Sequence, residues 1–153
     1  CRVLCLNRNI LMIRPKIILA NDGNYRERRY FAAYQWTPSN PRPMEQFQLP
    51  EFIRKITQSK DRYVPFGIGI VEMNDATVTC EMCEELFVSN SPHTMLTLNG
   101  AEIIGNGSGS HHQLRKLDVR IDLILGATSK CGGVYLYSNQ QGCVSHFSSP
   151  NKK

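Results

Sequence analysis

A chain of 153 residues with 41% hydrophobic and 20% charged positions carries enough apolar material for one domain with a real core, which excludes a disordered polymer. No apolar run reaches the roughly eighteen residues of a membrane span, and Arg2, Asn7, Arg8 and Asn9 interrupt the stretch from Cys1 to Met12, so neither a span nor a secretory signal is written here and a cytoplasmic location is expected. The net charge of +5 sits largely in Arg26, Arg28 and Arg29, in Arg115 and Lys116, and in Lys152 and Lys153, with acids interspersed, which points to a solvated surface rather than to a nucleic-acid or membrane partner.

In chain order, Val3 to Leu6 and Ile10 to Ile13 are β-rich runs joined by Asn7, Arg8 and Asn9, a hairpin that Pro15 ends because it cannot donate to a ladder; Lys16 therefore sits at a strand exit. Residues 21 to 50 form a long irregular excursion punctuated by Pro38, Pro41, Pro43 and Pro50, in which only Tyr25 to Trp36 could be regular. Pro50 opens a short helix over Glu51 to Gln58. Phe66 to Glu72 and Ala76 to Met82 read as strands around the turn Asn74-Asp75, and Glu102 to Asn106 as a shorter buried strand. Leu114, Leu117, Ile121, Ile124, Leu125 and Thr128 recur at helical spacing and predict an amphipathic helix that Gly132-Gly133 stops. Val134 to Tyr137 is the last strand.

The stretch TVTCEMCEELF, residues 77 to 87, carries the chemistry. Its two cysteines could be a metal clamp, a redox pair, or one nucleophile with a bystander. Side chains alternate along a strand, so Cys80 and a Cys83 at its end point to opposite sides, and His93, His111 and His112 supply no second half-site for zinc; no metal is expected. A thioredoxin-like pair needs both sulfurs near a helix start, which the strand-like Val78 to Cys80 does not offer. Two buried core cysteines remain as good an account on spacing alone. In favour of a nucleophile, a cysteine at a strand end can be exposed at the sheet edge, the backbone amide of Glu84 can receive an oxyanion, and the Lys16 ammonium at a neighbouring strand exit would favour negative charge there. GNGSGS, residues 105 to 110, is read as a tight turn that brings Ser110 to a small substrate rather than as a nucleotide cradle. All six cysteines are expected to be reduced in a chain with this much core. Tyr135 and Tyr137 share one strand face and are read as packing.

Together the segments LNRNILMIRPKIILANDGNYRERRYF, VPFGIGI, CEMCEELF, PHTMLTLNGAEIIGNGSGSHHQLRK and GGVYLYSNQQGC resemble the glutaminase domain of glutamine-dependent NAD synthetases, a branch of the nitrilase or carbon-nitrogen hydrolase superfamily. The resemblance implies an α/β fold, a four-layer α-β-β-α sandwich incomplete at both ends, with a partial hydrolase domain over residues 1–143 and a divergent, disordered tail over residues 144–153. It implies hydrolysis of the side-chain amide of L-glutamine through a cysteinyl thioester, with Cys83 as nucleophile, Lys16 as triad lysine and Glu27 as supporting glutamate. Tyr25, Ser110, Arg115 and Lys116 fall where the family contacts glutamine. No cofactor is implied for this part; ATP and magnesium belong to a separate synthetase domain, which would use the ammonia to amidate deamido-NAD in a homo-oligomeric full-length enzyme.

Two departures from the family pattern shape what is expected. The triad's general base is a glutamate well upstream of the lysine, whereas none of the fifteen residues before Lys16 is acidic. After SNQQGC the chain reads VSHFSSPNKK in place of the family's Asp-Gly, and it begins at Cys1, so a fragment inactive alone is expected. The alternatives are a free-standing nitrilase-fold amidase, and a non-catalytic fragment that only binds glutamine or associates with intact subunits.

Overall fold

The computed structural model describes residues 1–57 and 61–141; Gln58, Cys143 and the tail over residues 144–153 lie outside the described residues. Strands β1 (Arg2–Leu6) and β2 (Asn9–Arg14) form the expected antiparallel hairpin. Asn7 and Arg8 both take positive φ, 48° and 67°, the conformation that lets a two-residue turn match the twist of its strands. Two more strands complete the first sheet in the order β1-β2-β4-β3: β3 (Glu45–Gln48), which has no counterpart in the sequence reading, and β4 (Tyr63–Phe66). Helix α1 (Glu51–Thr57) lies between them in sequence and packs Ile53 on the cluster of Ile13, Leu49 and Val64.

The strand expected over Phe66 to Glu72 is split between two sheets. Gly67 takes a φ of +155°, and a Cβ there would meet the Met44 sulfur at 2.9 Å, so the chain turns away at a point where a side chain would be both strained and crowded. It leaves the first sheet at Phe66 and enters the second at β5 (Val71–Glu72). The second sheet runs β5-β6-β7-β8, with β6 (Thr77–Met82), β7 (Ile103–Ser108) and β8 (Val134–Asn139) parallel and joined by helices α2 (Pro92–Leu98) and α3 (Lys116–Cys131). Helix α2 went unread because its seven residues hold too little periodicity, although Pro92 directly after Ser91 is a start signal.

Helix α3 meets the sheet along one edge of the face its apolar spacing predicts. Ile124 of that face packs on the core beside Leu123, and Ala127 belongs to the cluster that includes Leu86, Ile104 and Tyr135. Leu114, just before the helix, is 95% exposed, and Leu117, Ile121 and Leu125 are also exposed. The periodicity was real, but the sheet takes only the edge of that stripe. Gly132 and Gly133 end the helix with positive φ, as expected. Helix α1 on one side and α2 and α3 on the other give the layer order α-β-β-α, and the Arg2 side chain from β1 lies across Gly107 of β7 between the sheets.

One buried ion pair joins the two sheets. Arg14, the last residue of β2, donates to Glu85 just beyond β6, and both side chains are fully shielded from solvent. The Glu85 carboxylate also accepts the amides of Ile17 at 2.8 Å and Met82 at 2.7 Å. Removing one partner of such a pair strands a buried charge at a cost of about 3–5 kcal/mol. Glu85→Gln is therefore expected to lower the unfolding free energy by about that much in urea titration. Glu51→Gln, which breaks the exposed pair with Lys55, should cost less than about 1 kcal/mol. Equal effects would show that Glu85 holds nothing together.

Candidate active site

The nucleophile candidate sits at a strained elbow. Strand β6 is extended through Met82, Cys83 turns to a φ of +45°, and residues Cys83–Leu86 form a single 3-10 turn. A left-handed conformation at a residue other than glycine costs about 1–3 kcal/mol and persists only where the surroundings impose it. Here Glu85 reaches back to the Met82 amide, Phe87 N donates to the Glu84 carbonyl at 2.9 Å, and the Cys83 amide donates to Asn106 Oδ1 at 2.9 Å. The opening amides of a helix have no acceptor within it, so Glu84 N–H is a ready oxyanion donor. Cys80, two strand positions before Met82, is buried between the sheets, and that burial pushes its thiol pKa up.

Lys16 reaches the same place from the other sheet. It follows β2 and Pro15, and its ammonium is held by both oxygens of Glu27, at 2.6 and 2.9 Å. Glu27 Oε2 also accepts the Ala20 amide at 2.6 Å, so the carboxylate fixes the loop and the lysine together. Because Arg14 and Ile17 flank Lys16 and both bind Glu85, the pair that joins the sheets also brings Lys16 to the cavity that Cys83 lines.

A cavity of about 760 Å³ results, with Lys16, Ala20, Tyr25, Glu27, Cys83 and Gly109 on its wall. Among the described residues Glu27 is its one carboxylate. Tyr25 donates through its hydroxyl to the Gly109 carbonyl and accepts from His111 N, each at 2.9 Å, while its ring stacks on His111 at 4.3 Å. Burial raises the pKa of its phenol, which stays protonated and able to donate.

Ser110 is gripped from behind. The Asn139 carboxamide accepts from Ser110 N and donates to Ser110 O, both at 3.0 Å, and Arg120 donates to the carbonyls of Ser110 and His111 at 2.9 and 2.6 Å. These three residues line an adjoining cavity that shares Gly109 with the first. Arg115 and Lys116 are placed elsewhere. Arg115 is an exposed left-handed residue before α3, with φ at 62°, and the Lys116 ammonium lies 4.7 Å over the Phe87 ring, so neither reaches the wall of either cavity. The buried cation at this loop is Arg120, hidden from sequence reasoning by its place among alternating helical charges. Asn106 and Asn139 also went unread, since an asparagine in a strand carries no local signal. No group of three or more metal-ligating side chains occurs among the described residues, and none of their helices is long and apolar enough to cross a membrane.

Two sheets in an α-β-β-α arrangement carry, beside one cavity, a cysteine on a strained strand-to-helix turn and a glutamate-held lysine, the kind of setting in which a nucleophilic cysteine can act. The chain belongs to the carbon-nitrogen hydrolase family, whose model matches residues 1–151. It is 54% identical over 143 residues to the glutamine-dependent NAD(+) synthetase of Arabidopsis thaliana, covering 94% of this chain and 19% of that one. The Saccharomyces cerevisiae enzyme of the same name is also 54% identical, with the same coverage. Among solved structures, a glutamine-dependent NAD(+) synthetase from Cytophaga hutchinsonii superposes with a TM-score of 0.63 at 26% identity, over 85% of this chain and 18% of that one. The chain thus spans about a fifth of the length of these relatives.

The two thiols should part company chemically. In the folded chain near pH 8, iodoacetamide is expected to modify Cys83 at least about tenfold faster than Cys80, because burial both shields the Cys80 sulfur and disfavours its thiolate. Peptide mapping of a time course reads the two rates, and comparable rates would remove the distinction between nucleophile and bystander.

Proposed function

We propose that this region hydrolyses the side-chain amide of L-glutamine through a Cys83 thioester and, in a protein of the relatives' length, supplies the ammonia for NAD synthesis. The observation that carries the reading is Cys83, held at positive φ on the cavity that also receives the Glu27-bound Lys16. The sulfur adds to the amide carbon. Negative charge develops on the oxygen, where the Glu84 amide and the Lys16 ammonium receive it. The carbon-nitrogen bond then breaks, ammonia leaves with a proton, and water cleaves the thioester to glutamate and the free thiol. Tyr25 and the Ser110 loop would hold the amino acid portion, with Arg115 and Lys116 left outside the cavity. The synthetase half, with ATP, magnesium and deamido-NAD, would lie in the remaining four-fifths of such a protein, which we expect to be cytoplasmic and homo-oligomeric.

Glu27 is poorly suited to accept a proton, since its oxygens already bind Lys16 and the Ala20 amide. The reaction needs a base both to activate the thiol and to activate water against the thioester. A protonated lysine cannot serve, because an ammonium has three donors and no acceptor. General base catalysis is worth about 10² to 10⁴ in rate, so the 153-residue chain alone should turn glutamine over at below about 1% of the rate of a protein that supplies the base. Glutamate release beside a Cys83→Ala control measures this, and sustained Cys83-dependent turnover by the chain alone would mean that Glu27 or another residue here is the base.

The reading itself is tested by joining residues 1–141 to the remainder of the Arabidopsis thaliana relative. Cys83→Ala should abolish glutamine-driven NAD formation and leave ammonia-driven formation within about twofold, since the nucleophile acts only in releasing ammonia. Equal loss with both nitrogen donors would make Cys83 structural.

A further inference from the structure

Behind the nucleophile turn runs a chain of buried polar groups that no step of the hydrolysis uses. Asn106 of β7 accepts the Cys83 amide on Oδ1 and donates from Nδ2 to the Tyr135 hydroxyl of β8, each at 2.9 Å. Tyr135 donates in turn to Glu81 of β6, which is fully buried. Glu81 also accepts the His93 amide at 3.1 Å, and His93 Nδ1 lies 3.2 Å from both its oxygens. Burial, and then the adjacent carboxylate, push the Tyr135 phenol pKa up, so it keeps its proton.

Donor counting gives this chain a direction. A phenol has one proton, and here it is committed to Glu81, so the Tyr135 oxygen can only accept from Asn106. That in turn fixes which end of the Asn106 carboxamide faces Cys83: the oxygen must, because the NH2 is needed at Tyr135. Every donor from Cys83 N–H onward points toward Glu81. Were the carboxylate absent, the phenol proton could turn to Asn106, the carboxamide could rotate, and the Cys83 amide would meet an NH2 group in place of its acceptor.

We propose that Glu81 is a positioning residue for the nucleophile turn, acting through Tyr135 and Asn106 to hold the Cys83 peptide left-handed and thereby aim the Glu84 amide at the oxyanion. The proposal rests on the amide-hydrolysis reading of Cys83 and assigns a use to a buried carboxylate which stability alone does not require, since apolar replacements of buried charges are often neutral. It also accounts for Tyr135 as more than packing. Because the Glu84 amide would meet a charge that exists only in the transition state, disturbing the chain should lower kcat and spare KM.

The 153-residue chain, labelled with 15N-cysteine, reports the Cys83 and Cys80 amides separately once each is assigned by a single Cys→Ser substitution. In Tyr135→Phe and Glu81→Leu, hydrogen exchange at the Cys83 amide should accelerate by about tenfold or more while Cys80 in the β6 ladder changes less than about twofold. In the joined protein described above, the same substitutions should lower kcat for glutamine about tenfold or more, with KM and the ammonia-driven rate within about twofold. Cys83 exchange within twofold of the parent in both variants overturns the proposal, as does equal acceleration at Cys80 and Cys83, the mark of general loosening. Should Tyr135→Phe lose its cooperative unfolding transition, Glu81→Leu, which stays near the side-chain volume and offers the phenol no oxygen, decides by the same readouts. Failure of the underlying reading leaves a different trace: glutamine-driven activity that survives Cys83→Ala.

Discussion

The site exists because Arg14 and Glu85 meet out of water. Lys16 lies two positions after Arg14 and Glu85 two positions after Cys83, so this single contact brings the lysine of one sheet and the cysteine of the other to one cavity. The pair is expensive. Two nitrogens of Arg14 are buried without a partner among the described residues, while Glu85 accepts from Arg14, Ile17 and Met82 and leaves little of its acceptor capacity idle. A hydrophobic pair could cross-link the sheets as firmly, but it could not also order the backbone on both sides of the join. The carboxylate does both, since it binds an amide after the first sheet's strand and an amide at the end of the second's.

From that join the remaining geometry follows in steps. Glu27 clamps Lys16 to the Ala20 loop, the same loop carries Tyr25 to the Ser110 segment, and Asn139 with Arg120 braces that segment from the far side. The candidate substrate-contact side chains thus stand on loops, but each loop is tied by hydrogen bonds to a strand or a helix. Such bracing is what a reaction that depends on placed donors requires, because displacements near 1 Å forfeit much of the stabilisation that oriented dipoles give.

Local rules carried the sequence reading where the structure is local. The Asn7-Arg8 turn, the exit of Lys16 behind Pro15, the cysteine at the end of β6 and the Gly132-Gly133 stop all rest on turn and strand chemistry within a few residues. The family resemblance was legible because several motifs occur in order. What failed was decided at longer range. Phe66 to Glu72 is β-prone throughout, but the chain breaks at Gly67, where φ is positive and a Cβ would meet Met44, more than twenty positions earlier. The apolar stripe of α3 is genuine, yet Leu123, Ile124 and Ala127 meet the core while Leu117, Ile121 and Leu125 stay exposed. Arg115 and Lys116 were weighed as substrate contacts from motif position, whereas the backbone of the turn sends one to solvent and the other over Phe87.

The positive φ of Cys83 places backbone strain on the proposed nucleophile. Glycine or asparagine would sit in that conformation at less cost, and glycine would relieve nearly all of it, so a search for stability alone would drift away from cysteine at this position. Under the proposed chemistry the elbow therefore marks where the fold's own optimum and the site's optimum diverge. A variant library sorted only on folding would enrich the wrong residue at position 83 while leaving every brace around it intact.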